Sequence, residues 1–297
     1  MNPVLEADHL TKRFDATTAL NDVTFSFPEG HIAGLLGRNG SGKTTLLHHF
    51  VGMLLPSAGE CRTLGMPGRD LGDSELSRIG FVPQTPRLIE WMTVEQHLRY
   101  LGSFYHRWDR TRLGRLQSEL ALPSRPRIGT LSVGDRQKFA VISAVCHHPS
   151  LLLLDEPFSA LDPIVRERML TLLIELARED ESTIVVSSHI LHDVEKVIDW
   201  VICLDEGRLT VNAPLDELQE RYAEWTVTTR AGNLPARFDE PCVLAQESDG
   251  HAARLLVLNP GLNEAGFRAG HDVDLVARPL NLEQLFPLLI RGSHRQP

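Results

Sequence analysis

Apolar and polar positions alternate from residue 4 to residue 27, the period of a half-buried strand, so the chain opens as antiparallel β structure. The next apolar run, His31-Ile32-Ala33-Gly34-Leu35-Leu36, is continuous, as in a strand buried on both faces. Thr45-Leu46-Leu47-His48-His49-Phe50 then starts a helix. Short strands are expected at 60–64 and 79–83, and a helical stretch over 93–121, broken near Arg107-Trp108-Asp109. Pro123 to Pro126 reads as a linker, and 133–148 as a helix. Leu151-Leu152-Leu153-Leu154 is too short for a helix of its own and predicts a buried strand. Pro163 stands at the first position of a helix running to Glu179, with Asp162 as its N-cap. A buried strand over 183–187 and a helix over 190–198 follow. Strands alternating with helices predict a parallel α/β core.

After Tyr222 the pattern changes. Strands are expected at 225–229, 241–246 and 253–258, with Ser248-Asp249-Gly250 as a turn between the last two. Val273-Asp274-Leu275-Val276 is another strand, 282–290 a terminal helix, and 291–297 a polar tail. Gly207, in Leu204-Asp205-Glu206-Gly207-Arg208, reads as a hairpin turn. The expected organisation is a main domain over 1–224, with a helical subdomain at about 85–150, and a small C-terminal α/β accessory domain over 225–297.

Composition excludes more than it assigns. Hydrophobic residues make up 42% and charged residues 23% of the 297, which is ordinary for a globular protein. A net charge of -9 argues against a general nucleic-acid binder, so no nucleic-acid partner is expected. Cys61, Cys146, Cys203 and Cys242 form no CxxC pair, which suggests neither a zinc site nor a disulfide framework, and a reducing cytoplasm is the simplest home. The opening Met1-Asn2-Pro3-Val4-Leu5-Glu6 has no basic or apolar leader region and is not read as a signal peptide. No apolar stretch approaches the roughly 20 residues that span a bilayer. Work at a membrane would need spans from another chain.

The chemistry begins at Gly37-Arg38-Asn39-Gly40-Ser41-Gly42-Lys43-Thr44, which fits the phosphate-binding pattern G-x-x-x-x-G-K-[ST] at every fixed position. Glycines let the backbone wrap a polyphosphate and turn its N–H groups inward. Lys43 can lie between the β- and γ-phosphates, the Thr44 hydroxyl can ligate Mg²⁺, and Thr45 continues the helix whose N-terminus favours anions. Downstream, the apolar strand 151–154 ends in Asp155-Glu156-Pro157. A strand ending in Asp suits the Mg²⁺ shell, so Asp155 takes that role, and Glu156 can orient and deprotonate an attacking water.

With these two motifs the chain resembles the ATP-binding subunit of ATP-binding cassette (ABC) transporters, of the simple exporter type, over residues 4–222. Gly37 to Thr44 corresponds to Walker A and Leu151 to Glu156 to Walker B. Gln84, in Phe81-Val82-Pro83-Gln84, matches the Q-loop. Leu131-Ser132-Val133-Gly134-Asp135-Arg136-Gln137 falls where the family signature belongs. Ser159-Ala160-Leu161-Asp162 matches the D-loop, and His189 in Ser187-Ser188-His189 the switch histidine. Phe14 lies where the family stacks an aromatic on adenine.

The resemblance implies a P-loop NTPase core of ABC type, with a parallel sheet and flanking helices, an antiparallel β subdomain and a helical subdomain. It implies ATP and Mg²⁺ as cofactors. Catalysis would fall to Glu156, His189, Gln84 and Lys43, with Thr44, Gln84 and Asp155 at the metal. ATP contacts would come from Phe14, from residues 37–45, and from Ser132, Gly134 and Asp162 of the opposite subunit in a homo- or heterodimer. The partner implied is a separate membrane subunit, with the ATPase peripheral on the cytoplasmic face of the cell membrane. Plainer roles stand beside these: Ser132 and Asp162 as helix caps, Phe14 as packing. The C-terminal appendage, with Arg278-Pro279-Leu280-Asn281-Leu282-Glu283-Gln284-Leu285-Phe286, resembles exporter ATPases for drugs, peptides or lipids. An importer subunit, a soluble non-transport ATPase and a weakly hydrolysing regulator are the alternatives.

The signature departs from Leu-Ser-Gly-Gly-Gln at Val133 and Asp135. Val133 restricts the backbone, and Asp135 adds negative charge where a γ-phosphate would arrive, unfavourable unless it points away. Reduced but real hydrolysis is expected. His48-His49 and His147-His148 are adjacent pairs that do not share a face, so neither predicts a metal site. The aromatic stretch from Trp91 to Tyr105 falls where the family's helical subdomain receives the membrane subunit.

Overall fold

The computed structural model describes residues 3–229, 234–235 and 237–291. Of the tail expected over 291–297, Arg291 instead ends the last helix and residues 292–297 lie outside the described residues. The chain divides into two compact units, Met1–Asn212 and Ala213–Pro297.

In the first unit, β1 (Pro3–Phe14) and β2 (Thr17–Pro28) pair antiparallel. β3 (Ile32–Leu36) leads into α1 (Lys43–Phe50). β4 (Ala58–Thr63) and β5 (Met66–Pro67) complete an antiparallel sheet of order β2-β1-β4-β5. A short α2 (Asp73–Leu76) precedes β6 (Ile79–Val82). Then come α3 (Val94–Gly102), α4 (Arg110–Glu119) and α5 (Val133–Val145), capped by the side chains of Thr93, Asp109 and Ser132. β7 (Leu151–Asp155), α6 (Pro163–Glu179), β8 (Thr183–Ser187), α7 (Leu191–Val194), β9 (Trp200–Asp205) and β10 (Arg208–Pro214) finish the unit. The order β10-β9-β3-β8-β7-β6 makes a six-stranded sheet, parallel from β9 to β6. Glu206 and Gly207, both at positive φ (46° and 76°), turn β10 back on β9.

Register fixes the site. Ser187 of β8 stands beside Leu35 of β3 on one side and Asp155 of β7 on the other. Parallel strands carry their C-terminal ends to one edge, so β3, β7 and β8 deliver their loops together. β3, β7 and β8 are buried at every residue, as doubly covered strands should be.

In the second unit, α8 (Leu215–Arg221) runs into β11 (Tyr222–Thr229). β12 (Val243–Ser248), β13 (Ala252–Leu258), α9 (Pro260–Gly270), β14 (Val273–Pro279) and α10 (Leu282–Arg291) follow. The sheet is antiparallel, in the order β12-β13-β11-β14. Its core gathers Trp225, Val227, Leu255, Val257, Phe267 and Leu275. The division falls at Asn212, twelve residues before the sequence places it, because α8 packs with β11 and α9. The helix expected over 190–198 is also shorter. Only 191–194 is helical, and Asp199 then binds Ile32 through its main chain and its carboxylate, drawing the chain into β9. Among the described residues no helix is long and apolar enough to cross a membrane.

Candidate active site

The turn from β3 into α1 holds Gly37, Gly40 and Gly42 at positive φ (151°, 79° and 105°). At Gly42 a side chain would also collide: a Cβ there would lie 2.5 Å from the Ala19 carbonyl oxygen. Lys43 is buried inside the loop, and its ammonium donates to the carbonyls of Gly37 (2.8 Å) and Arg38 (3.2 Å). Burial pulls its pKa below the usual lysine range, against the opposing pull of Glu156 and Asp155. Arg38, Asn39 and Gly40 are exposed, Ser41 is buried with its hydroxyl unpartnered, and Thr44 and Thr45 lie half-buried in the first turn of α1.

A chain of hydrogen bonds crosses from this loop to β7 and β8. The Thr44 hydroxyl donates to Asp155 Oδ2 (2.7 Å), and the Ser187 hydroxyl donates to Asp155 Oδ1 (2.7 Å). Ser187 in turn accepts from the Glu156 N–H (2.9 Å). The Glu156 carboxylate meets His189 Nδ1 at 2.6 Å. Glu156 itself sits at φ 49°, a costly conformation for a non-glycine residue. Ser187 is a member of this site that sequence reasoning did not single out, although it opens the Ser187-Ser188-His189 motif.

Thr44, Gln84 and Asp155 line one groove of about 740 Å³, along with Met53, Phe81 and Leu88. A hydroxyl, an amide and a carboxylate are all hard oxygen donors, the set a magnesium ion takes. Phe14, at the end of β1, is 43% exposed, and the Lys12 ammonium lies 4.9 Å from its ring centroid.

Ser132 and Gly134 lie on another element, at the start of α5. Among the described residues no hydrogen bond joins them to the phosphate loop. Ser132 caps α5 by accepting from the Asp135 N–H (3.1 Å). A Cβ at Gly134 would come within 2.9 Å of the Ala160 carbonyl oxygen, so α5 approaches the 159–162 turn closely. Asp162 caps α6, accepting from the N–H groups of Ile164 and Val165 (both 3.0 Å). The Asp135 carboxylate is not left open to an incoming anion. Its Oδ2 takes the Ser132 hydroxyl (2.8 Å) and its Oδ1 the Lys138 ammonium (3.0 Å).

Three of the four paired histidines are held by internal contacts, while His48 lines the groove of Thr44, Gln84 and Asp155 with its ring edge-on to Phe81. His49 is buried, its Nδ1 2.7 Å from the Thr45 carbonyl. His147 is buried, with Nε2 3.2 Å from the Ile79 carbonyl and its ring stacked on Tyr105. His148 lies between Asp109 and Asp180.

The loop, the paired carboxylates and the sheet order define a P-loop ATPase of the cassette type. The family model described as ABC transporter matches residues 20–159. The bacitracin transport ATP-binding protein BcrA of Enterococcus faecalis is 31% identical over 228 residues, covering 76% of this chain and 74% of that protein. A solved ATP-binding subunit of an ABC transporter superposes with a TM-score of 0.65 at 30% identity, over 73% of this chain and 92% of that one. The cassette MJ0796, solved as a dimer in a post-hydrolysis state with ADP and Pi, gives 0.63 at 27% identity, over 71% and 98%. The chain belongs to the ABC transporter family, as an ATP-binding and ATP-hydrolysing subunit.

Proposed function

We propose that this subunit powers export of a drug, peptide or lipid-like molecule through a separate membrane-spanning chain, at the cytoplasmic face of the cell membrane. The observation that carries the reading is the hydrogen-bonded series Thr44, Asp155, Ser187, Glu156 and His189 beside the phosphate loop. Similarity to a bacitracin transport subunit supports the substrate class.

In this reading the N–H groups of residues 40–45 cradle the ATP phosphates, and Lys43 turns from its two carbonyls to the β- and γ-phosphates. Phe14, 43% exposed, stacks on adenine. Thr44, Asp155 and Gln84 hold Mg²⁺, which when bound screens the phosphate charge. Glu156 accepts a proton from the attacking water, while His189 orients the Glu156 carboxylate and faces the γ-phosphate. Ser132 and Gly134 receive the γ-phosphate of ATP held by a second ATPase subunit, and Asp162 lies at that junction.

Glu156→Gln removes the base and keeps the shape. Hydrolysis is expected to fall about 10²- to 10⁴-fold, with ATP binding retained. The variant, loaded with Mg·ATP and used as bait in solubilised host membranes, should retain a multi-span membrane protein in near-equal amount. Hydrolysis that survives the substitution, or capture of soluble proteins alone, would overturn the reading.

A further inference from the structure

The signature carries an acid where a phosphate is to dock, and the structure pairs that acid twice. Ser132 Oγ donates to Asp135 Oδ2 while accepting from the Asp135 N–H, so its one proton is already committed. Asp135 Oδ1 holds the Lys138 ammonium, one helical turn further along α5. The Lys138 side chain is 14% exposed and that of Asp135 27%, so the ammonium is largely covered while the carboxylate keeps a solvent-facing side. The other cation of the motif, Arg136, is spent elsewhere, on Glu90 (3.1 Å) and the Gly129 carbonyl (3.2 Å). Lys138 is therefore the cation bonded to Asp135.

We propose that Asp135 and Lys138 act as a positioning pair for the docking of ATP across the subunit interface. Lys138 cancels the charge that Asp135 brings to the docking point, and Asp135 holds the Ser132 hydroxyl as a latch that an arriving γ-phosphate must take over. The inference rests on the proposed function, in which Ser132 faces ATP bound by a second subunit. Two like charges brought together at an interface of low dielectric repel strongly, and a cation shared between them removes most of that cost. The signature can thus keep Asp135 without losing the closed dimer.

The test uses the full chain carrying Glu156→Gln, with Mg·ATP-driven dimerisation followed by sedimentation. Fluorescent ATP binding and thermal melting serve as controls for the monomer. Adding Lys138→Met exposes the Asp135 charge, and the ATP-dependent dimer should weaken about tenfold or more, a deficit that shrinks as salt rises. Lys138→Arg should keep the dimer. Lys138→Met combined with Asp135→Asn should restore it, which lost helix packing alone could not do. A dimer indifferent to Lys138→Met, or a deficit that Asp135→Asn does not rescue, overturns the positioning pair and leaves the proposed function standing. A parent Glu156→Gln chain that never dimerises with Mg·ATP overturns the positioning pair, and the membrane capture described above then decides the proposed function by itself.

Discussion

A single hydroxyl joins the two carboxylates of the site. Ser187 is fully buried, donates to Asp155, and accepts the main-chain N–H of Glu156. Its loss would leave a buried carboxylate oxygen and a buried N–H unpaired, at about 1–3 kcal/mol. Ser187→Ala should lower stability by that amount in urea unfolding. It should also cut kcat about tenfold to a hundredfold while changing nucleotide affinity little, since Glu156 is mispositioned but the phosphate loop is intact. Comparable losses in affinity and kcat would show that Ser187 supports the loop instead. At this scale the sequence was legible wherever phosphate chemistry dictates residue type: glycines at forced φ, Lys43, Thr44, and an acid closing an apolar strand. Ser187 and Lys138 were not, because their partners are set by strand register and helix turn, which no local pattern records. Asp135 alone reads as repulsive; only the contacts from Ser132 and Lys138 reverse that.

Elements followed their punctuation. α6 has the bounds that Asp162 and Pro163 announce, and β8 those of its apolar run. α9 was missed because Gly261, Gly266 and Gly270 depress helix propensity. It forms nonetheless, with Pro260 in its first turn and Phe267 packed at 5.1 Å from Trp225. The join of α5 to its neighbours makes a pH prediction. His147, just beyond α5, is pushed down to about 4 by burial, against the hydrogen bond to Ile79. Burial also lowers His49 on α1 and His97 on α3. A histidine held neutral in the fold binds its proton more readily once unfolded. Its contribution is whole above pH about 6.5 and drains as pH falls towards about 4. For His147 that is on the order of 3 kcal/mol. Urea midpoints should therefore fall between pH 7 and pH 4.5, and His147→Phe, which keeps the stack on Tyr105, should flatten that slope. An unchanged slope would mean that His147 protonates in place.

At the scale of the whole molecule, every residue of the candidate site lies in the first unit, while the second has a hydrophobic cluster of its own around Trp225. A ligand stabilises only the part that binds it, by about 2.7 kcal/mol at a hundredfold excess over Kd. Calorimetry of the full chain should then show two transitions, of which Mg·ATP raises only one. Trp225→Ala opens a large cavity in the second cluster and should cost about 3–5 kcal/mol there. It should lower the transition that ATP leaves in place, while the nucleotide-dependent one and ATP binding persist. The sequence marked a change of character near Tyr222, but strand and helix periods report burial, not which cluster an element joins. Leu215 and Leu218 of α8 read as a continuation of the first unit until their packing is seen. If Trp225→Ala also lowers the ATP-shifted transition, the two clusters unfold as one, and the division at Asn212 has no thermodynamic meaning. If it does not, the second unit can change its sequence without disturbing the hydrolytic site.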